Sequence, residues 1–265
     1  MRFMTIASGS SGNCTYIGTE KTNILLDVGV SMKNIDIALS DIGMSLSDLD
    51  AIFITHEHSD HIKGLGVVLR KYHIPVYATG GTVRGISECK SLREFDFSLL
   101  KSIRNDQSVT LGDLTVNAKS ISHDAYDPVC YTFVSEGKKL SYATDLGYYD
   151  EDIISFLMDA DALIIEANHD IRMLEVGPYP YILKQRILGD KGHICNEASG
   201  ELVSRLLNEH VKHISLAHLS DKNNYPDLAL ETVRQAIHEN PLSNGEKDFG
   251  LCVAPRYVAG QLVEL

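Results

Sequence analysis

The chain has 265 residues, 44% hydrophobic and 23% charged, with a formal net charge of −12. That is enough apolar material for a core, and no apolar run approaches the ~18 residues of a membrane span. The acid excess argues against broad, nonspecific grip on duplex nucleic acid, which neutralisation of phosphates by Lys and Arg drives.

Residues 1–6 read as the start of a strand rather than a signal peptide, because they hold no long apolar region and no small-residue cleavage site. Five scattered cysteines (14, 89, 130, 195 and 252) include no Cys-x-x-Cys pair. That pattern fits free thiols in a reducing, cytoplasmic setting. Strands are predicted over 2–7 and 14–18, joined by Ser8-Gly9-Ser10-Ser11-Gly12-Asn13. This loop reads either as a plain turn or as a hydroxyl- and amide-rich mouth in which Ser8, Ser10 and Asn13 contact substrate phosphate. It lacks the Gly-Lys-Ser/Thr ending of an ATP-binding loop. A third strand, 22–27, ends in Asp27, and Ser31 caps a helix to about 42.

The run Ala51-Ile52-Phe53-Ile54 reads as a short buried strand, and apolar residues at 62, 65, 68, 69 and 72 read as one amphipathic helix over 62–72. Between them lies Thr55-His56-Glu57-His58-Ser59-Asp60-His61. Imidazole and carboxylate are the ligands that borderline divalent metals take from a protein. His56 and His58, two apart, suit side chains reaching one ion from an extended loop, and Asp60 and His61 at the helix start can face a second.

Further on, a short strand over 75–78 and a helix over 82–88 are expected, and residues 91–97 read as a lid segment. Strands over 109–110 and 114–122 surround the turn Gly112-Asp113, and His123 ends the second. A hairpin over 129–135 and 138–144 leads to Asp145. A helix over 150–158 precedes a buried strand over 162–167, followed by Asn168, His169 and Asp170. His169 is a candidate phosphate donor or general acid. A helix over 178–188, then Gly192-His193, then a helix over 197–210 that Asn196 could cap, bring the chain to a strand over 213–217 and His218. A helix over 227–238 and a tail over 251–265 that closes a sheet complete the order.

The His-x-His-x-Asp-His loop after a hydrophobic strand resembles the signature of the metallo-β-lactamase fold. His123, Asp145 and His218, each after a strand-like run, and the segment Ile24-Leu25-Leu26-Asp27-Val28-Gly29 match the family's other motifs in order. The resemblance implies an α/β fold of the αβ/βα sandwich type, two mixed sheets packed face to face with helices outside, as a single domain over 1–265. It implies two divalent ions (Zn, Mn or Fe): His56, His58 and His123 on the first, Asp60, His61 and His218 on the second, and Asp145 bridging. In such sites ions roughly 3.5–4 Å apart share a hydroxide that acts as nucleophile. Asp60 would also aim that hydroxide, and Asp27 would orient a ligand imidazole from behind.

An Asp at the bridging position resembles the phosphodiesterase, nuclease and glyoxalase branches. His218-Leu219-Ser220, Glu166 and Gly192-His193 are similar to elements of transfer-RNA-processing relatives, with the departure that Ile-Cys rather than Ser-Thr follows His193. Glu166 and His193 are therefore candidates for a proton relay. The opening Ser-Gly-Ser-Ser-Gly-Asn is similar to the YycJ/WalJ group of bacterial metallohydrolases, associated with 5′-to-3′ DNA exonuclease activity. Two functions follow as expectations. One is a phosphodiesterase acting on a nucleic-acid end, single-stranded DNA foremost, or on a small phosphodiester. The other is a hydrolase of a small thioester or lactone, as in glyoxalase II. A nuclease needs cations leading from the metals, for which Lys63, Arg70, Lys184, Arg186 and Lys191 are candidates. Oligomeric state is left open.

Overall fold

Three apolar residues, Ala51-Ile52-Phe53, make a strand with no exposed side chain. Such continuous hydrophobic runs belong to parallel strands covered on both faces. The computed structural model describes residues 1–105, 107–240 and 249–265. In chain order the elements are β1 (Arg2–Ala7), β2 (Cys14–Gly18), β3 (Asn23–Leu26), α1 (Met32–Asp41), β4 (Ala51–Phe53), α2 (Ser59–Ile62), α3 (Leu65–Tyr72), β5 (Val76–Thr79), α4 (Gly80–Glu88), β6 (Leu100–Ile103), β7 (Val109–Leu111) and β8 (Leu114–Ser120). There follow β9 (Val129–Ser135), β10 (Lys138–Ala143), α5 (Glu151–Leu157), β11 (Ala162–Glu166), α6 (Ile171–Val176), α7 (Tyr181–Leu188), α8 (Asn196–Leu206), β12 (His213–Ala217), α9 (Pro226–His238), β13 (Gly250–Val253) and β14 (Val263–Glu264).

Among the described residues the strands form two mixed sheets of seven, in the orders β14-β1-β2-β3-β4-β5-β6 and β13-β12-β11-β10-β9-β8-β7. In the first, β3 to β6 run parallel, with Leu26 opposite Phe53. In the second, β10 to β13 run parallel, with Ala143 opposite Ile165 and Glu166 opposite Ala217. The chain divides into two compact units, residues 1–120, 125–129 and 255–264 in one, and 121–124, 130–254 and 265 in the other. The first unit's core gathers Leu25, Ile52 and Ile54 with Ile35, Leu39, Val68 and Leu69 from α1 and α3. The second gathers Ala143, Leu163, Ile165 and Leu216 with Leu202, Val203 and Val233 from α8 and α9. No helix of the described residues is long and apolar enough to cross a membrane.

Several local expectations change. The helix expected over 62–72 is two helices parted at Lys63-Gly64, where Gly64 N donates to Val28 O at 2.9 Å. A Cβ on Gly64 would lie 2.0 Å from Val30 O, so only glycine lets the chain come this close. Residues 91–97 do not form a free lid: Leu92 is buried in the core, and Arg70 holds the Leu92 carbonyl at 2.7 Å. The cap of α8 is Cys195, with Asn196 inside the helix and its amide bonded to Asn224 at 3.1 Å. Strand β6 and helix α6 are additional, the latter capped by Asp170. The tail supplies a strand to each sheet, β13 beside β12 and β14 beside β1.

Candidate metal centre

In the first unit the donors lie on the turn between β4 and α2. The carboxylate of Asp27, fully buried after β3, accepts from Thr55 N at 2.9 Å, Thr55 Oγ1 at 2.9 Å and His61 Nδ1 at 2.8 Å. Burial pushes the Asp27 carboxyl up, against the opposing pull of His61 and Thr55. Because Thr55 gives its one hydroxyl proton to Asp27, its oxygen is left to accept from His56 Nδ1, 3.1 Å away. Both imidazoles are thereby set with Nδ1 protonated and Nε2 carrying a lone pair, the tautomer a metal ligand needs. The His56 ring lies 4.1 Å from that of His61 and 4.6 Å from that of His58. His58 sits at the N-cap of α2 and Asp60 in its first turn.

Asn13 does not present itself to a substrate. It is fully buried, its oxygen accepting from Gly9 N at 2.8 Å, and its Nδ2 lies 3.0 Å from His61 Nε2 and 3.4 Å from Asp60 Oδ2. It braces the metal loop. Ser8 is buried as well, whereas Ser10 is exposed.

In the second unit the donors stand at the ends of adjacent parallel strands. Asp145 follows β10, Glu166 ends β11 and His218 follows β12. One ligand atom each of Asp145, Glu166, His193 and His218 lies within 4.8 Å of the others. Glu166 Oε1 accepts from His193 Nδ1 at 2.8 Å and from His218 Nδ1 at 2.9 Å, and Oε2 accepts from Leu146 N at 2.8 Å. Burial raises the Glu166 carboxyl, but the two imidazoles outweigh it and hold the group below the usual carboxylate range. His123 Nδ1 donates to Gly192 O at 3.1 Å, which again leaves Nε2 as the lone pair, 3.7 Å from Asp145 Oδ1.

Asp27, Asp145 and His218 share one backbone feature, φ of 60°, 61° and 55°. Left-handed backbone is uncommon outside glycine, and Asp and His are among the residues that tolerate it. Such conformations gather at functional sites.

His169 is not among the grouped ligand atoms, but it lies within electrostatic reach of Glu166 and His193. It is 1% exposed, its Nδ1 lies 3.3 Å from Asn168 Oδ1, and burial drives its pKa down to about 4. An imidazole of that pKa is neutral near pH 7, a state that suits donating its N–H to a phosphate better than acting as a general acid. The expected cations are mostly engaged: Arg70 on the Leu92 carbonyl, Lys184 on the Glu175 carbonyl, Arg186 on the Asp124 carboxylate. Lys191 is exposed, and Lys63 donates to the Ser11 carbonyl. Sequence reasoning passed over Thr55 and the carbonyl of Gly192, whose parts are set by hydrogen bonds that leave no residue signature.

Imidazoles with protonated Nδ1, beside buried carboxylates, fit a borderline divalent cation. The seven-stranded mixed sheets and this donor chemistry define a metal-dependent hydrolase of the metallo-β-lactamase fold. The β-lactamase superfamily domain matches residues 22–214, and the chain belongs to that superfamily. It is 39% identical over 246 residues to exodeoxyribonuclease YycJ of Bacillus anthracis, covering 93% of this chain and 92% of that one. It is 40% identical over 244 residues to exodeoxyribonuclease WalJ of Streptococcus pneumoniae serotype 2, covering 92% and 91%. The crystal structure of Zn2+-bound PqqB from Methylobacterium extorquens matches all of both chains with a TM-score of 0.71 at 16% identity, a likeness of fold.

Proposed function

We propose that the protein is a metal-dependent exodeoxyribonuclease that removes nucleotides from the 5′ end of single-stranded DNA, acting in the cytoplasm as one catalytic domain. The observation that carries this reading is the 39% identity to a named exodeoxyribonuclease across more than nine-tenths of both chains. His56, His58 and His123 would hold one ion, Asp60, His61 and His218 a second, and Asp145 would be a carboxylate ligand to both; zinc, manganese and iron all suit this donor set. Bound ions supply a water acidified toward neutral pH and positive charge at the scissile phosphate.

The chain's own residues do the rest. Asp27 and Thr55 keep His61 and His56 in the ligating tautomer. Glu166 fixes His218 and His193 through their Nδ1 atoms. With Nδ1 anchored by Glu166, Nε2 of the 13% exposed His193 side chain is the atom through which a proton would pass to the leaving oxygen.

The test is hydrolysis of 5′-phosphorylated single-stranded DNA in manganese or zinc, beside the Asp60→Ala variant and a chelated control. Stepwise nucleotide release, lost in both controls, is the expected result. Turnover of a small phosphodiester without DNA cleavage would remove the nucleic-acid substrate. Turnover of a thioester alone would replace the reading with a glyoxalase II-like one.

A further inference from the structure

The first unit carries a groove of about 570 Å³ that no step above uses. Its walls come from β1, α1 and residues 256–259, and Lys63 and Arg256 face it against a single carboxylate, Asp41. In a chain of net charge −12 this is a local reversal of sign. Ser31 and Asn34 line the same groove; Ser31 is the N-cap of α1, and that helix has no acidic residue in its first turn. The positive end of a helix therefore adds to the two cations. Tyr257, 70% exposed, stands at the rim, with the Arg256 guanidinium carbon 5.9 Å from its ring centroid.

The groove is joined to the metal loop. Lys63 directly follows α2, which carries Asp60 and His61, so it stands about one helical turn beyond Asp60. Its ammonium donates to the carbonyl of Ser11, in the loop whose Asn13 braces His61. The volume lies within the roughly 300–1,000 Å³ of small-ligand sites. Cations along a backbone path with an exposed aromatic ring beside them are how single-stranded nucleic acid is held without sequence preference.

We propose that this groove is the strand-holding subsite of the enzyme. One phosphate of the DNA lies on Lys63 and Arg256 at the start of α1, and an adjacent base stacks on Tyr257. The choice of DNA as occupant rests on the exodeoxyribonuclease reading; the groove's affinity for a single strand does not depend on cleavage.

The test is fluorescence anisotropy of a labelled 5′-phosphorylated single-stranded oligodeoxynucleotide with the protein in chelator. The variants are Arg256→Gln, Arg256→Lys and Tyr257→Ala. Arg234→Gln, on α9 beside Glu231, is the charge-matched control. Arg256→Gln is expected to bind about tenfold more weakly with a salt slope shallower by about one. Tyr257→Ala is expected to lose about tenfold through stacking. Arg256→Lys and Arg234→Gln should stay close to wild type, with thermal melts showing all variants folded. Groove variants that bind like Arg234→Gln, or a wild type that binds no strand, would overturn the subsite. Cleavage by the wild type in manganese separates the two readings. DNA cleaved with groove variants unaffected sinks the subsite alone; strand binding lost in the groove variants without any DNA cleavage sinks the exonuclease alone.

Discussion

Asp27 Oδ2 lies 2.8 Å from His61 Nδ1, and neither side chain is exposed. The pair sets which nitrogen of His61 can take a metal. Asp27→Asn keeps the volume but lets the partner of Nδ1 be an amide in either orientation. Divalent-metal affinity is expected to fall about 10- to 100-fold. Competition with a chromophoric chelator reads this directly, and unchanged affinity would refute the orienting role. Asp27→Ala, which strips His61 and Thr55 of a buried partner, should destabilise the fold by about 3–5 kcal/mol in urea.

Glu166 bonds two imidazoles at once, and they are expected to separate by function. His193→Asn should lower kcat for DNA cleavage about 10²- to 10⁴-fold while leaving metal content intact. His218→Asn should lose metal. If Glu166 acts on proton transfer through His193, Glu166→Gln and His193→Asn combined should cost little more kcat than the worse single change, because the residues work as one unit. Fully additive losses, measured at saturating substrate, would show that they act independently.

The candidate donors could be read from the sequence because the fold places them by a rule a sequence can carry. A hydrophobic run followed by His or Asp marks His56, His123, Asp145 and His218, and the structure leaves Asp145 and His218 in left-handed backbone just past their strands. What could not be read is set by contacts distant in sequence. The break at Gly64 depends on the carbonyls of Val28 and Val30. Asn13 looked like a phosphate contact because its neighbours are serines and glycines, but it is buried, its oxygen accepting from Gly9 N and its amide nitrogen packed against Asp60 and His61. His169 follows a strand as the candidate ligands do, yet it is not among the grouped ligand atoms. Composition could not say that Lys63, of five candidate cations, would line a groove.

The buried His169 gives stability a defined pH dependence. Its pKa is lowered from 6.5 to about 4, chiefly by burial. Between those values the unfolded chain binds a proton that the folded chain does not, so stability rises with pH across the window. The contribution is intact above pH 6.5, is lost as pH falls toward 4, and amounts to ~3 kcal/mol at most. His169→Gln should flatten that part of the profile. The measurement is urea unfolding of the metal-free protein from pH 7 to pH 4, read as the difference between wild type and variant. A difference independent of pH would mean that His169 is not buried neutral.

Gly29 joins the Gly/Ser loop to the metal loop by lacking a side chain. Its N–H donates to Asn13 O at 2.8 Å, and a Cβ built on it would lie 1.6 Å from the Asp60 carbonyl oxygen and 2.5 Å from Asn13 N. Neither neighbour is the end of a flexible side chain, so Gly29→Ala must displace backbone at the first turn of α2. The expected loss is about 3 kcal/mol or more of stability. Divalent-metal affinity should fall with it, because Asp60 and His61 move together with that turn. Gly80→Ala is the matched control: it lies at the start of α4, where a Cβ would meet only Ser102 Oγ at 3.5 Å, an ordinary contact. There the added methyl should be neutral or stabilise by about 0.5–1 kcal/mol. Thermal melts and chelator competition on both variants decide the matter. Equal behaviour of the two alanines would mean that the metal loop yields at Gly29 without strain, and that Asp60 is not held in place by this close approach.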